Sequence, residues 1–167
     1  MRLAGIGDAH AAAQLLHDFN TEFGEPTPDV PTLAARLQTI IGGGDAAIFV
    51  AGEGPDGIAV LRFRPSIWSS GLESYLAELY VVPGSRGRGL GRVLMEAALD
   101  AARARGADAM EIGVDEPDVA ARRLYESLGF SNRAGGADGP LMFIYELDPV
   151  AALGQHRVEV VDRPGVV

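Results

Sequence analysis

The chain has 167 residues, a formal net charge of -9 and no cysteine; it fits one domain of ordinary size and excludes disulfides, thiolate metal sites and a cysteine nucleophile. The acidic balance argues against general nucleic-acid binding, which wants a basic face. No run approaches the ~20 apolar residues of a membrane span and Met1–Asp8 holds no secretion-type apolar stretch, so a cytosolic protein without membrane or nucleic-acid partners is expected.

In chain order, a short strand candidate at the start precedes Ala12, Leu15, Leu16, Phe19 and Phe23, which recur at helical spacing with Asp8 placed to cap. The stretch FGEPTPDVP (Phe23 to Pro31) ends that helix and offers Thr27 or Asp29 as the next cap. Leu33, Leu37, Ile40 and Ile41 form a second apolar stripe, stopped by Gly42-Gly43-Gly44. Ala46–Ala51 and Gly57–Phe63 read as a hairpin around Gly52-Glu53-Gly54-Pro55-Asp56. After a loop carrying Trp68 come a strand over Tyr75–Val82 and a helix with Leu90, Val93, Leu94, Ala97, Ala98 and Ala101 on one face. Gly106 ends that helix. A strand over Ala109–Val114 follows, then a helix with Pro117 in its first turn and Gly129 at its end, and a last strand over Leu141–Leu147. Val158–Val161 adds a further strand candidate. A hairpin ahead of alternating strands and helices predicts an α+β fold, with a mixed sheet of about six to seven strands flanked by about four helices.

The segment ELYVVPGSRGRGLGRVL (Glu78 to Leu94) runs from a strand through an arginine-glycine turn into a helix. The first N–H groups of a helix lack internal partners and the helix dipole adds positive charge, so such a turn reads as an anion cradle. It is not a Walker A loop, because Arg92 and Val93 follow Gly91 where lysine and a hydroxyl residue are needed. A dinucleotide fingerprint would need a glycine at position 92; Glu111 does lie near the distance of a ribose-binding acid, but too few strand–helix units follow.

Arg86-Gly87-Arg88-Gly89-Leu90-Gly91 resembles Arg/Gln-x-x-Gly-x-Gly/Ala, the pyrophosphate-binding signature of the GNAT family of N-acetyltransferases. DVAARRLYESLGF, from Asp118 to Phe130, is similar to the family's Asn-x-x-Ala-x-x-Leu-Tyr-x-x-x-Gly-Phe. The resemblance runs from Ala4 to about Pro149 and implies a single acetyltransferase domain over 1–149, with a tail over 150–167. It also implies the acyl-CoA N-acyltransferase fold, splayed between its fourth and fifth strands.

On this resemblance Leu79, Tyr80 and Val81 hold the pantetheine arm of acetyl-CoA in the splay. The turn of Arg86, Gly87, Arg88, Gly89, Leu90, Gly91 and Arg92 holds the pyrophosphate, with Arg122 or Arg123 as further cations. Splayed strands leave N–H and C=O groups that an amide-bearing arm can satisfy. The implied reaction is direct attack of an amine on the thioester, with no metal and no covalent enzyme intermediate. The N–H near Val81 is the oxyanion donor and Tyr125 the acid for the leaving thiolate. Glu78 is the first candidate base, Glu111 the second, and a water chain the third. Relatives that acetylate protein N-termini carry their base at the position of Gly113, where this chain has none. Asp118 stands where the family has Asn; it can cap a helix but cannot donate.

The acceptor implied is a primary amine of a small molecule or peptide, lying against the early helices and the loop before the cofactor strand. There Asp18, Asn20, Glu22, Glu25 and Trp68 would suit a small cation. His10, His17 and His156 show no ligand spacing. The competing readings are a non-catalytic acyl-CoA sensor and an interaction module on the same fold; a homodimer fits either the enzyme or the module.

Overall fold

A computed structural model describes residues 1–52 and 54–145 of the protein. The chain divides into two compact units, Met1–Leu128 and Gly129–Val167. In the first, the stripe of Ala12, Leu15, Leu16 and Phe19 winds into helix α1 (Ala9–Phe23), stopped by Gly24 in the left-handed region. Asp8 precedes α1 but does not cap it as expected. Its carboxylate turns back to accept from Gly5 N–H and the Arg2 guanidinium, and those bonds hold its carboxyl down at about 2. Helix α2 (Val30–Gly43) is capped by Asp29, which accepts from Thr32 N–H at 2.8 Å.

Strands β1 (Arg2–Leu3), β2 (Ala46–Ala51), β3 (Gly57–Pro65), β4 (Leu72–Val81) and β5 (Ala107–Ile112) form one sheet in that order. All neighbours are antiparallel except β4 and β5, which are parallel and joined through helix α3 (Leu90–Ala104). Helix α4 (Val119–Ser127) follows β5, with Asp118 rather than Pro117 at its start. The mixed α+β sheet and four helices are as expected; the strand count is not.

The described residues hold five strands instead of six to seven. Where a last strand was expected, residues 141–145 make only one isolated bridge, Leu141 to Arg133. Their backbone instead closes the glycine-rich loop, through Met142 N–H to Asn132 O and Ala134 N–H to Pro140 O. Phe143 and Tyr145 are 71% and 91% exposed, so no burial holds this run extended. Residues 146–147, Val158–Val161 and the rest of the tail lie outside the described residues.

Alternation along the strands directs Ile48, Val50, Ile58, Val60 and Tyr80 to α1 and α2. Ala59, Leu61 and Phe63 take the opposite face, where α3 packs. At the end of α3 the Arg105 guanidinium lies 4.4 Å from the Phe63 ring centroid and donates to Gly44 O and Ala46 O. Gly57 lets α3 approach the sheet: a Cβ there would stand 3.1 Å from Leu94 Cδ1. Leu94 is completely buried. Leu94→Ala is expected to cost about 2–5 kcal/mol, the transfer term plus a cavity that α3 cannot collapse into, read as a lower urea midpoint at unchanged slope.

Candidate active site

The sheet parts at one place. β4 and β5 pair from Leu72 with Ala107 as far as Leu76 with Ile112, and there β5 ends. β4 continues through Ala77, Glu78, Leu79, Tyr80 and Val81, still paired with β3 but with no β5 partner. The register with β3 also slips at this point: Leu61 faces Leu76 and Val60 faces Glu78, leaving Ala77 as a bulge. A bulge reverses the alternation of everything after it. Leu76 points to the α3 face, and Glu78 would follow it without the bulge; with it, Glu78 shares the face of Val60 and Tyr80, under α1 and α2.

The backbone direction follows from one bond. Val82 N–H donates to Asp56 O on the β3 side, so in an antiparallel pair Tyr80 also turns its peptide groups to β3 while Leu79 and Val81 turn theirs to the open side. The Val81 carbonyl is taken by Arg86, whose Nε donates to it at 2.8 Å. The Leu79 N–H and C=O and the Val81 N–H thus face the wedge left by β5.

Beyond β4 a short 3-10 turn (Pro83–Ser85) leads to the glycines. Gly87 and Gly89 have φ of +75° and +84°, and a Cβ at either would meet nothing within 4 Å. Left-handed backbone beside open space is what a group approaching the chain closely requires. Gly89 is the N-cap of α3, without a side-chain cap, and the first helical bond runs from Val93 N–H to Gly89 O. The N–H groups of Leu90, Gly91 and Arg92 therefore open onto the cradle. Gly91 has a different use: a Cβ there would sit 3.4 Å from Leu124 Cδ2, so it seats α4 against α3.

The arginines divide. Arg86 is bound to Val81 O and Glu22, Arg92 donates to Ser127 Oγ at 2.7 Å, and Arg122 donates to Glu116 O. Arg88 and Arg123 make no side-chain hydrogen bond or ion pair among the described residues. Asp118 accepts from Ala121 N–H at 3.0 Å and caps α4, the role open to Asp. Two turns on, Tyr125 is 9% exposed; burial, with the Asp118 charge second, pushes its phenol up to about 12.

The two base candidates now differ. Burial pushes the Glu78 carboxyl above its usual range, and no cation faces it among the described residues. Glu111 is exposed and ion-paired with Arg64 at 3.3 Å, in a chain that includes Glu73. Gly113 lies just past β5.

Trp68 stands apart from the other residues of the expected acceptor cluster. β4 is ten residues long, about 33 Å at strand rise, and the loop with Trp68 sits at its first residue while the wedge lies at its last. Trp68 is 90% exposed at that far end, where Ser69 bonds Asp108. Glu22 accepts from Arg86 and from Tyr80 OH, Asp18 from Gln14, and Asn20 donates to Pro26 O. Sequence reasoning missed the bulge at Ala77, the Arg92–Ser127 bond and the Glu22–Arg86 pair. Only the first left a trace: Leu76 and Leu79 are three apart, breaking the period of two.

Known proteins can be set beside this geometry. The profile of the Acetyltransferase (GNAT) family matches residues 12–130. Mycothiol acetyltransferase of Beutenbergia cavernae is 45% identical over 69 residues, 40% of this chain but only 23% of that protein. The chain thus spans less than a quarter of the length of that relative. An uncharacterized N-acetyltransferase of Bacillus subtilis is 29% identical over 137 residues, 81% of this chain and 91% of the relative. A crystal structure from Arthrobacter sp. FB24, assigned by inference as an acetyltransferase, superposes with a TM-score of 0.80 at 46% identity, covering 87% of this chain and 94% of that one. The parted strands, the uncapped glycine turn and a family match over more than half its length together show that the chain belongs to the acetyltransferase (GNAT) family.

Proposed function

We propose that the protein is an acetyl-CoA-dependent N-acetyltransferase that moves the acetyl group directly to a primary amine of a small molecule or peptide within a ternary complex. The observation that carries this reading is the parting of β4 from β5 beside an uncapped helix mouth. The residues fit the co-substrate. The wedge leaves Leu79 and Val81 peptide groups for an amide-bearing arm, and Gly87 and Gly89 leave room for a diphosphate against the N–H groups of α3. Arg88, on the same turn, would meet further phosphate charge.

When bound, acetyl-CoA supplies an activated thioester. Glu78 takes the proton from the incoming amine, directly or through one water; a raised carboxyl is a better base than an exposed one. Val81 N–H, already aimed into the wedge, donates to the oxygen where negative charge builds. Tyr125 donates to the departing sulfur. With its phenol near 12 it stays protonated beside a thiolate of ordinary pKa ~8.5, so it acts as a firm hydrogen-bond donor rather than a freely dissociating acid.

Titration with acetyl-CoA followed by thiol release across a panel of polyamines, aminoglycosides, amino acids and peptides tests the reading. Saturable binding with amine-dependent thiol release supports it. Binding without release from any amine identifies a sensor, and no binding removes the proposal. Tyr125→Phe is expected to lower kcat by about 10²-fold with little change in KM for acetyl-CoA. In the unmodified protein the rate should show no alkaline decline assignable to Tyr125 around the ordinary tyrosine value of 10.0.

A further inference from the structure

The two halves of the proposed acetyl-CoA site, strand edge and glycine turn, are joined by one side chain. Arg86 Nε donates to Val81 O at 2.8 Å, and its terminal nitrogen donates to Glu22 Oε2 at 2.8 Å. The same Glu22 oxygen accepts from Tyr80 OH at 3.1 Å. The guanidinium carbon lies 5.7 Å from the Tyr80 ring centroid, and that ring packs on Phe19 of α1 with centroids 5.2 Å apart. Glu22 stands in the last turn of α1, 64 residues before Arg86.

A guanidinium is planar and loses little freedom when both edges are bonded. Bonded only to Val81 O, Arg86 could swing about its flexible stem. Held also by a carboxylate, it fixes the distance between the end of β4 and the start of the turn. That distance decides whether a ligand gripping the turn can at the same time lay its arm along Leu79 and Val81.

We propose that Glu22 is a positioning residue: by anchoring Arg86 against the Val81 carbonyl, it sets the spacing between the strand edge and the glycine turn so that both grip one acyl-CoA molecule. This rests on the acetyl-CoA reading above and assigns to α1 a part in co-substrate binding. Both bonds fall on the same Glu22 oxygen, Oε2.

A bidentate ligand shows the coupling and a half-ligand does not. Calorimetry of Glu22→Ala, Glu22→Gln, Arg86→Gln and the Glu22→Ala/Arg86→Gln double variant, with acetyl-CoA and with 3′-phospho-ADP, separates the cases. Glu22→Ala should weaken acetyl-CoA by about tenfold, the worth of one charge-assisted hydrogen bond, and 3′-phospho-ADP by less than about twofold, since the turn keeps its own glycine conformation. Glu22→Gln, which retains an acceptor oxygen, should recover part of the loss. The double variant should be no weaker than Arg86→Gln alone, because the two residues act as one unit. Equal weakening of both ligands, no weakening of acetyl-CoA, or losses that add in the double variant would overturn the proposal. If the unmodified protein binds neither ligand, the acetyl-CoA reading itself has failed.

Discussion

Glu78→Gln is expected to lower kcat by about 10²–10³-fold while leaving KM for acetyl-CoA within about twofold and making the protein more stable at neutral pH. The first half follows from the bulge. Ala77 turns Glu78 to the α1 and α2 side of the sheet at the residue where β5 has just ended, beside the peptide groups of Leu79 and Val81. Gln preserves shape but cannot accept a proton, so the loss falls on the chemical step and not on co-substrate affinity.

The second half follows from linkage. Burial raises the Glu78 carboxyl above its ordinary value of 4.5, so the folded state holds that proton more tightly than the unfolded chain. Stability from this group is full below the unfolded value and is lost as pH rises through the folded one. At neutral pH the carboxylate is therefore a cost that Gln removes, a common pattern at reactive sites. kcat of the unmodified enzyme should also fall on acidification through the raised carboxyl value, and that limb should vanish in the variant. Steady-state rates across pH and urea melts at two pH values check both halves; a variant that keeps full rate but loses stability would make Glu78 a structural carboxylate.

Gly89→Val is expected to abolish measurable acetyl-CoA binding, a loss of more than about 10²-fold, while Gly106→Val leaves affinity unchanged. Both glycines sit in the left-handed region, at φ +84° and +70°, and a Cβ at either would meet nothing within 4 Å. Each valine should therefore cost a similar ~1–2 kcal/mol or more of backbone strain, β-branching being worst there. The two lie at opposite ends of α3. At Gly106 the open space is solvent; at Gly89 it is the cradle, and a valine fills the approach to the N–H groups of Leu90, Gly91 and Arg92. Melting temperatures should fall together and only Gly89→Val should lose affinity. Equal affinities would show that these glycines serve the turn and nothing else.

The contrast between what the residues disclose and what they hide has a physical cause. The turn from Arg86 to Arg92 is legible because its shape rests on local conformation: glycine where φ is positive, then an apolar face starting at Leu90. The meander and α1 and α2 are legible from periodicity. Long-range pairing is not. Trp68 is four residues ahead of β4 in the chain, yet a ten-residue strand carries the wedge to its other end. The ion pair that occupies Glu111 was equally hidden, because its partner Arg64 lies 47 positions away in the chain. Over the described residues 141–145 the expected strand is reduced to one bridge, because apolar, β-prone composition makes a strand only where an edge and a packing surface meet it. The Glu22–Arg86 pair was hidden because nothing local to α1 announces Arg86.

Amide hydrogen exchange, resolved by residue with and without saturating acetyl-CoA, tests the central claim most directly. The account predicts slowed exchange at Leu79 and Val81 and at Gly87 to Arg92, with Tyr80 and Val82, already turned toward β3, little changed. Protection confined to other segments, or none at these amides while acetyl-CoA is demonstrably bound, would contradict it.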